Sequence, residues 1–266
     1  MRTTKITEED KVHIALARRH AVVYWLDGKR LMKVREACMP EIVIEEGTEI
    51  VCDDAFRGNS TVEKVILPST LQIIGKHAFD GCVNLKYVFI PEGVTEIPNS
   101  CFKGCTSLEQ VVLPNSINVI GQNAFEDCKS LKHLSFPSQL RTIDDFAFMH
   151  SGLEIFYPTI AEGVKCKIFE RTFAFCENLK TVTLTPGVQL AGEMSFICCT
   201  NLEEVTFTGK NQGLPGAVAT MLLGCDNLKK ITVPASQYGT SYNFDSKDWE
   251  TAQYGHCDYN HLVVME

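Results

Sequence analysis

The chain lacks the short motifs by which many catalytic sites can be read from sequence. It has no glycine-rich phosphate loop, no G-x-G-x-x-G, no H-E-x-x-H and no G-x-S-x-G. It has no C-x-x-C pair, so a zinc ribbon has no support. No run of about 20 apolar residues occurs, which argues against a transmembrane helix. Basic charge is in deficit: 25 Lys and Arg stand against 33 Asp and Glu, giving a net charge of −8. That balance argues against nucleic acid or an anionic membrane surface as partner. No proline- or serine-rich linker divides the chain. The opening MRTTKITEEDKVHIALARRH has no apolar signal-peptide region, so the chain as given reads as cytoplasmic, or as one from which a signal was removed.

What the sequence has is a repeat. Residues 55–77 (AFRGNSTVEKVILPSTLQIIGKH), 78–100 (AFDGCVNLKYVFIPEGVTEIPNS), 101–123 (CFKGCTSLEQVVLPNSINVIGQN) and 124–146 (AFEDCKSLKHLSFPSQLRTIDDF) follow one template of 23 positions. A fixed period of this size is the signature of a solenoid, whose blocks bury their apolar faces only against each other. Apolar residues at positions 8, 11 and 13, such as Leu85, Val88 and Ile90, have strand spacing. Pro68, Pro91, Pro114 and Pro137 at position 14 end each strand, because proline has no N–H for a ladder. Apolar positions 17 and 20 bring the chain back along the core, and Gly75 and Gly121 at position 21 fit a turn. Phe56, Phe79, Phe102 and Phe125 at position 2 are expected to plug the core from the far side. Four degenerate blocks follow, the fifth with a shortened turn before Leu153 and a lengthened return.

AFDGCVNLKYVFIP, CFKGCTSLEQVVLP, AFEDCKSLKHLSFP and their copies over residues 41–235 resemble the BspA-like leucine-rich repeat, the bacterial 23-residue class also called the TpLRR class. The resemblance implies a mainly β solenoid: a right-handed leucine-rich-repeat horseshoe with a parallel sheet on its concave face, short strands or 3-10 turns on its convex face, and few helices. It also implies a non-catalytic binding role at microbial surfaces or host contacts, adhesin-like, with a protein or glycan ligand. It brings no catalytic residues, no cofactor and no metal. The cell surface it suggests stands against the cytoplasmic reading of the N-terminus. Neither the ligand nor the oligomeric state follows from it.

Three regions of one continuous unit are expected: an N-terminal cap with a partial repeat (1–54), the repeats (55–235) and a C-terminal cap (236–266). In the first, Thr7 followed by Glu8, Glu9 and Asp10, with Arg18 and Arg19 at the far end, favours a helix over 7–19, although the alternation Val12, Ile14, Leu16 would suit a strand. Two apolar runs around Asp27-Gly28 predict a hairpin over 21–34. In the last, residues 245–251 suit a short helix laying Trp249 over the final repeat, and residues 262–265 a final strand.

Twelve cysteines raise the question of disulfides. Cys82, Cys105, Cys128, Cys176, Cys199 and Cys225 all fall at template position 5. Stacked equivalents point the same way, which is poor disulfide geometry, so they read as a ladder of small buried thiols. Asn59 takes that slot in the first block, so the pattern Asn59-Ser60-Thr61 reads as turn structure rather than a glycosylation site. His256, Cys257, Asp258 and His261 cluster without a standard zinc spacing and read as a polar loop.

Positions 10 and 12 carry the outward-facing side chains of the front sheet. Position 12 runs Ile66, Phe89, Val112, Ser135, Phe156, Thr183, Thr206, Thr232; position 10 runs Lys64, Tyr87, Gln110, His133, Glu154, Thr181, Glu204, Lys230, with the fifth block's assignment complicated by its short turn. Large apolar residues gather in the early half, and exposed apolar and aromatic groups mark contact surfaces. The candidate binding residues are therefore Lys64, Ile66, Tyr87, Phe89, Val112, His133 and Phe156. Strand propensity alone explains the later threonines. Two other functions remain open on sequence: an enzyme or metal-binding protein with its site in the tail or the irregular loops, and a self-associating structural surface protein.

Overall fold

The computed structural model describes residues 3–17, 21–35, 39–209, 218–234 and 263–265. It is a β-solenoid of parallel sheets in which each 23-residue block makes one coil. The front strands are β3 (Glu41–Val43), β5 (Lys64–Ile66), β7 (Tyr87–Phe89), β9 (Gln110–Val112), β12 (Ile155–Phe156), β14 (Thr181–Leu184), β16 (Glu204–Phe207), β17 (Lys230–Val233) and β18 (Val263–Met265). The return strands are β4 (Ile50–Val51), β6 (Ile73–Ile74), β8 (Glu96–Ile97), β10 (Val119–Ile120), β11 (Thr142–Ile143), β13 (Cys166–Ile168) and β15 (Val188–Leu190). Helix α1 (Glu8–Leu16) and the antiparallel pair β1 (Val22–Tyr24) and β2 (Arg30–Val34) precede them, and β2 continues in parallel into β4. A four-residue helix α2 (Val218–Met221) lies late in the chain.

The N-terminal elements form for local reasons. Thr7 caps α1: its hydroxyl accepts from the Asp10 N–H, and the Asp10 carboxylate accepts from the Thr7 N–H at 2.8 Å. The capping box wins over the alternation at Val12, Ile14 and Leu16, and Val12 and Leu16 are left exposed. Asp10 is buried and pairs with Arg30 at 3.2 Å, tying the helix to β2. Arg35 donates to the Ala17 and Ile14 carbonyls, closing the helix's far end.

Each coil is held to the next by three sets of backbone hydrogen bonds: the front ladder, the return ladder, and a turn ladder at the Ala-Phe step. In the turn ladder, Phe79 N–H donates to Cys101 C=O at 2.9 Å and Phe102 N–H to Ala124 C=O at 2.8 Å. Inside it runs a column of phenyl rings: Phe56, Phe79, Phe102, Phe125, Phe148, Phe173 and Phe196 are all fully buried. Consecutive centroids from Phe79 to Phe196 stack 5.1–5.3 Å apart, nearly parallel. Beside them, each position-5 thiol donates to the carbonyl of the position-2 phenylalanine one block back. Cys82 donates to Phe56 C=O at 3.2 Å, Cys105 to Phe79 and Cys128 to Phe102 at 3.1 Å, and Cys176 to Phe148 at 3.0 Å. Cys199 and Cys225 repeat the bond to Phe173 and Phe196. All ten described cysteines are free thiols and nine are buried; burial pushes the Cys82 and Cys166 thiols up to about 12. Asn59 is buried in the same slot, its Oδ1 accepting from the Thr61 and Val62 N–H groups.

Two of the ladders are interrupted, each for a readable reason. The return ladder stops between β6 and β8. At position 21 the Gly75 N–H donates to Val51 C=O and the Gly121 N–H to Ile97 C=O, both at 2.8 Å; the second block has Pro98 there, which has no N–H. Gly75 sits at this position because a Cβ would collide with the Asp53 backbone, not because the turn needs left-handed geometry. The front ladder stops between β9 and β12, where residues 133–135 of the fourth block form no strand.

Candidate functional site

On the front face the strands alternate cleanly: β7 and β9 each bury their middle residue and expose the two flanking it. Pairing sets the rows. Val43 lies beside Ile66, Lys64 beside Tyr87, Tyr87 beside Gln110, and Phe89 beside Val112. Val43, Ile66, Phe89 and Val112 therefore form one row of four exposed apolar side chains, with Phe89 at 54% exposure. Neighbours in such a row stand one strand spacing apart, about 4.8 Å. Polar groups border it: Lys64 pairs with Glu41 at 3.4 Å, and Lys86 with Glu63 at 2.8 Å.

Beyond Val112 the face opens. A cleft of about 470 Å³ lies between β9 and residues 133–135, lined by Tyr87, residues 109–113, His133, Leu134 and Ser135. Its cause lies in the fourth and fifth blocks. The fifth block's turn is one residue short, so Leu153 is followed two residues later by Ile155 at the strand's first position, as the pairing of Ile155 with Thr181 and of Phe156 with Val182 requires. Phe156 then occupies the inward position that Leu134 takes in the block before and Val182 in the block after. Phe136 meets it edge-on at 5.0 Å and meets Phe148 at 5.8 Å. Two phenyl rings crowd the layer under residues 133–135, and this segment leaves the ladder. Leu134 is only half-buried, where Val65, Val88 and Val182 at the equivalent position are buried.

This geometry corrects one sequence reading. Phe156 is fully buried and does not belong to the outer face. Counting back from Pro158 gives it an outward position; counting forward from Leu153 gives an inward one, and the strand pairing follows the leucine. The outward residues of that strand are Ile155 and, one beyond it, Tyr157, at 48% and 58% exposure. The remaining six candidates, Lys64, Ile66, Tyr87, Phe89, Val112 and His133, all lie on or beside the row, and Tyr87, Val112 and His133 line the cleft. Sequence reasoning missed Val43, although it stands one period before Ile66 in a partial repeat.

The cleft carries one acidic group. The Tyr87 hydroxyl donates to Glu109 Oε2 at 2.9 Å, and that carboxylate holds the phenol above its ordinary pKa. Among the described residues Glu109 has no cation within ion-pair distance. No group of three or more potential metal ligands occurs among the described residues. His256, Cys257, Asp258 and His261, and the expected helix at 245–251, lie outside the described residues. Among the described residues no helix is long and apolar enough to cross a membrane.

Comparison with known proteins gives a consistent result. The family described as the BspA type leucine rich repeat region matches residues 35–154 and 155–254, in six copies. No curated protein matches the chain. Among solved structures, a leucine-rich repeat protein from Bacteroides ovatus ATCC 8483 is similar at 21% identity and a TM-score of 0.46, covering 80% of this chain and 67% of its own. The leucine-rich repeat protein of T. pallidum is similar at 25% identity and a TM-score of 0.49, covering 80% of this chain and 89% of its own. A leucine-rich cell surface protein from Faecalibacterium prausnitzii A2-165 is similar at 18% identity and a TM-score of 0.37, covering 81% of this chain and 87% of its own.

Proposed function

We propose that this chain, which belongs to the BspA-type leucine-rich repeat family, is a non-catalytic scaffold that binds a protein partner on its front sheet, at the apolar row and the cleft beside it. The observation that carries the reading is the row itself: Val43, Ile66, Phe89 and Val112, exposed on adjacent strands and ending at an open cleft. The backbone ladder fixes these side chains, so little ordering entropy is lost when a partner covers them. Lys64, Glu41 and His133 supply part of the polar rim that surrounds an apolar contact centre. The template accounts for nearly all the glycine, proline, cysteine and phenylalanine of the repeats, which leaves few groups for chemistry and supports binding over catalysis.

The test is a double variant, Tyr87→Ser with Phe89→Ser. A display library of domain-sized proteins is panned on the wild-type chain, and the captured binders are re-measured on this variant and on Thr183→Ser with Thr206→Ser. The expected result is an unchanged Tm in both variants, with capture weakened at least tenfold only in the first. Equal losses in both would show that the early face is not the contact surface. Preferential capture on a glycan array, with no protein binders recovered, would replace a protein partner with a glycan.

A further inference from the structure

Resting on that reading, we propose that the cleft between β9 and residues 133–135 takes an extended peptide, which adds as a strand inside the interrupted front sheet. The argument begins with the backbone. At the paired steps of the front sheet, a position-9 N–H donates to the position-9 carbonyl of the block before: Glu63 to Pro40 at 2.7 Å, Lys86 to Glu63 at 2.8 Å, Glu109 to Lys86 at 3.0 Å, Glu203 to Lys180 at 2.8 Å. At two of these steps a position-13 N–H also donates forward to a position-12 carbonyl, Ile44 to Ile66 and Ile90 to Val112, both at 3.0 Å. Between the third and fourth blocks neither bond forms. Among the described residues, neither Lys132 N–H nor His133 N–H finds the Glu109 carbonyl, Leu113 N–H finds no Ser135 carbonyl, and β9 has no strand beside it on this side. On the far side the position-9 bond returns, Glu154 N–H donating to Lys132 C=O at 3.0 Å, although β12 makes no ladder with residues 133–135. Both lips of the cleft therefore present strand-type donors and acceptors without strand partners. A peptide backbone is the ligand whose chemistry matches a row of such groups at strand spacing.

The side chains narrow the peptide's composition. Val111, Leu113 and Leu134 line the cleft, and Leu134 is half-buried. They offer an aliphatic surface for one apolar side chain pointing inward from the added strand. The Glu109 carboxylate, which accepts from the Tyr87 hydroxyl and has no cation within ion-pair distance among the described residues, sits at the end where the front strand begins. It complements a lysine or arginine two or so residues from that apolar anchor. The segment engaged is short, since β9 is three residues long.

The experiment pans a phage library of random linear 12-residue peptides on the full chain and synthesises the tightest binder. Enriched peptides should share a large apolar residue with Lys or Arg close by. N-methylation of each interior residue of the bound segment should weaken binding at least tenfold, because each N–H serves one lip or the other. Ser135→Pro removes a donor that makes no backbone bond in the free protein; it should leave Tm unchanged and weaken the peptide at least tenfold. Glu109→Gln should reduce the preference for the basic residue. Absence of enrichment over an immobilised control protein would overturn the proposal. So would a large fall in Tm for Ser135→Pro, since that N–H would then be in use; amide exchange at Val111 and Ser135 in the wild type, expected to be faster than at Val65 and Val88, gives the same answer without a variant. Peptides that lose binding with Tyr87→Ser and Phe89→Ser, but tolerate N-methylation and Ser135→Pro, would leave the front-face reading standing and refute strand addition. Peptides indifferent to all of these variants would refute both.

Discussion

Replacing Phe125 by alanine should cost about 4 kcal/mol and should split the unfolding transition. The ring is fully buried, with partners on both sides, Phe102 at 5.3 Å and Phe148 at 5.2 Å. Removing a buried phenyl forfeits about 2–3 kcal/mol of apolar burial. Each of the two ring contacts adds about 0.5–1 kcal/mol. The total falls within the roughly 3–5 kcal/mol range of Phe→Ala substitutions. At a slope of about 3 kcal/mol per molar urea, the midpoint should fall by a little over 1 M. Phe125 belongs to the block whose front segment has left the ladder, so fewer backbone bonds remain there to hold the two halves together. A solenoid unfolds by breaking nearest-neighbour contacts, and a cavity at its weakest coil should uncouple the N-terminal and C-terminal halves. In a Trp249→Phe background, where Trp25 is the one remaining tryptophan, urea titrations followed by circular dichroism and by tryptophan fluorescence should therefore coincide without the Phe125 substitution and separate with it. The reasoning is refuted by a loss below 1 kcal/mol, or by coincident transitions at the full cost. Phe56→Ala, which loses one ring contact rather than two, should cost about 0.5–1 kcal/mol less.

Other expectations follow from the same coil. The buried thiols hold their protons well above the ordinary thiol range because burial disfavours the thiolate; Cys82 is raised to about 12 and Cys128 further. Folded protein thus keeps protons that unfolded chain releases, so this stabilisation is complete below about pH 8.5 and is lost as pH rises toward the folded values. Replacing Cys82 and Cys128 together by alanine should flatten the fall in stability between pH 9 and 11 by about 2.8 kcal/mol per pH unit, at about 1.4 per thiol. Titration with a thiol reagent after denaturation without reductant should recover nearly all twelve cysteines, and recovery of only a few would mean a disulfide framework. Gly81 has a φ of 72° with no neighbour closer than 3.7 Å to an added Cβ, so Gly81→Ala should cost about 1 kcal/mol through conformation alone, and Asp127→Gly, at the equivalent position with a φ of 59°, should gain a similar amount in chemical denaturation.

The parts of this molecule legible in sequence were those set by period. Phe56, Phe79, Phe102 and Phe125 recur every 23 residues because stacked coils repeat one environment, and so do the thiols of Cys82, Cys105 and Cys128. The proline at position 14 and the aspartate-glycine turn of the hairpin act through their own backbone chemistry and needed no tertiary context. What escaped were the departures from the repeat. Pro98 in the glycine slot removes an N–H, yet only the neighbouring coil reveals that the N–H would have been a ladder bond. The fifth block offers two anchors one residue apart, Leu153 and Pro158, and sequence alone does not say which the strand obeys. That choice turns Phe156 inward and brings it against Phe136. The cleft is a consequence of both rings together and has no signature in either block.

The central claim, that the early front face is the contact surface, is tested most directly by hydrogen exchange on the chain with and without a captured protein partner. The account predicts protection concentrated in residues 41–43, 64–66, 87–89, 109–113 and 133–135, with residues 181–183 and 204–206 unchanged. Protection confined to 181–206, or spread over the return strands, would contradict it.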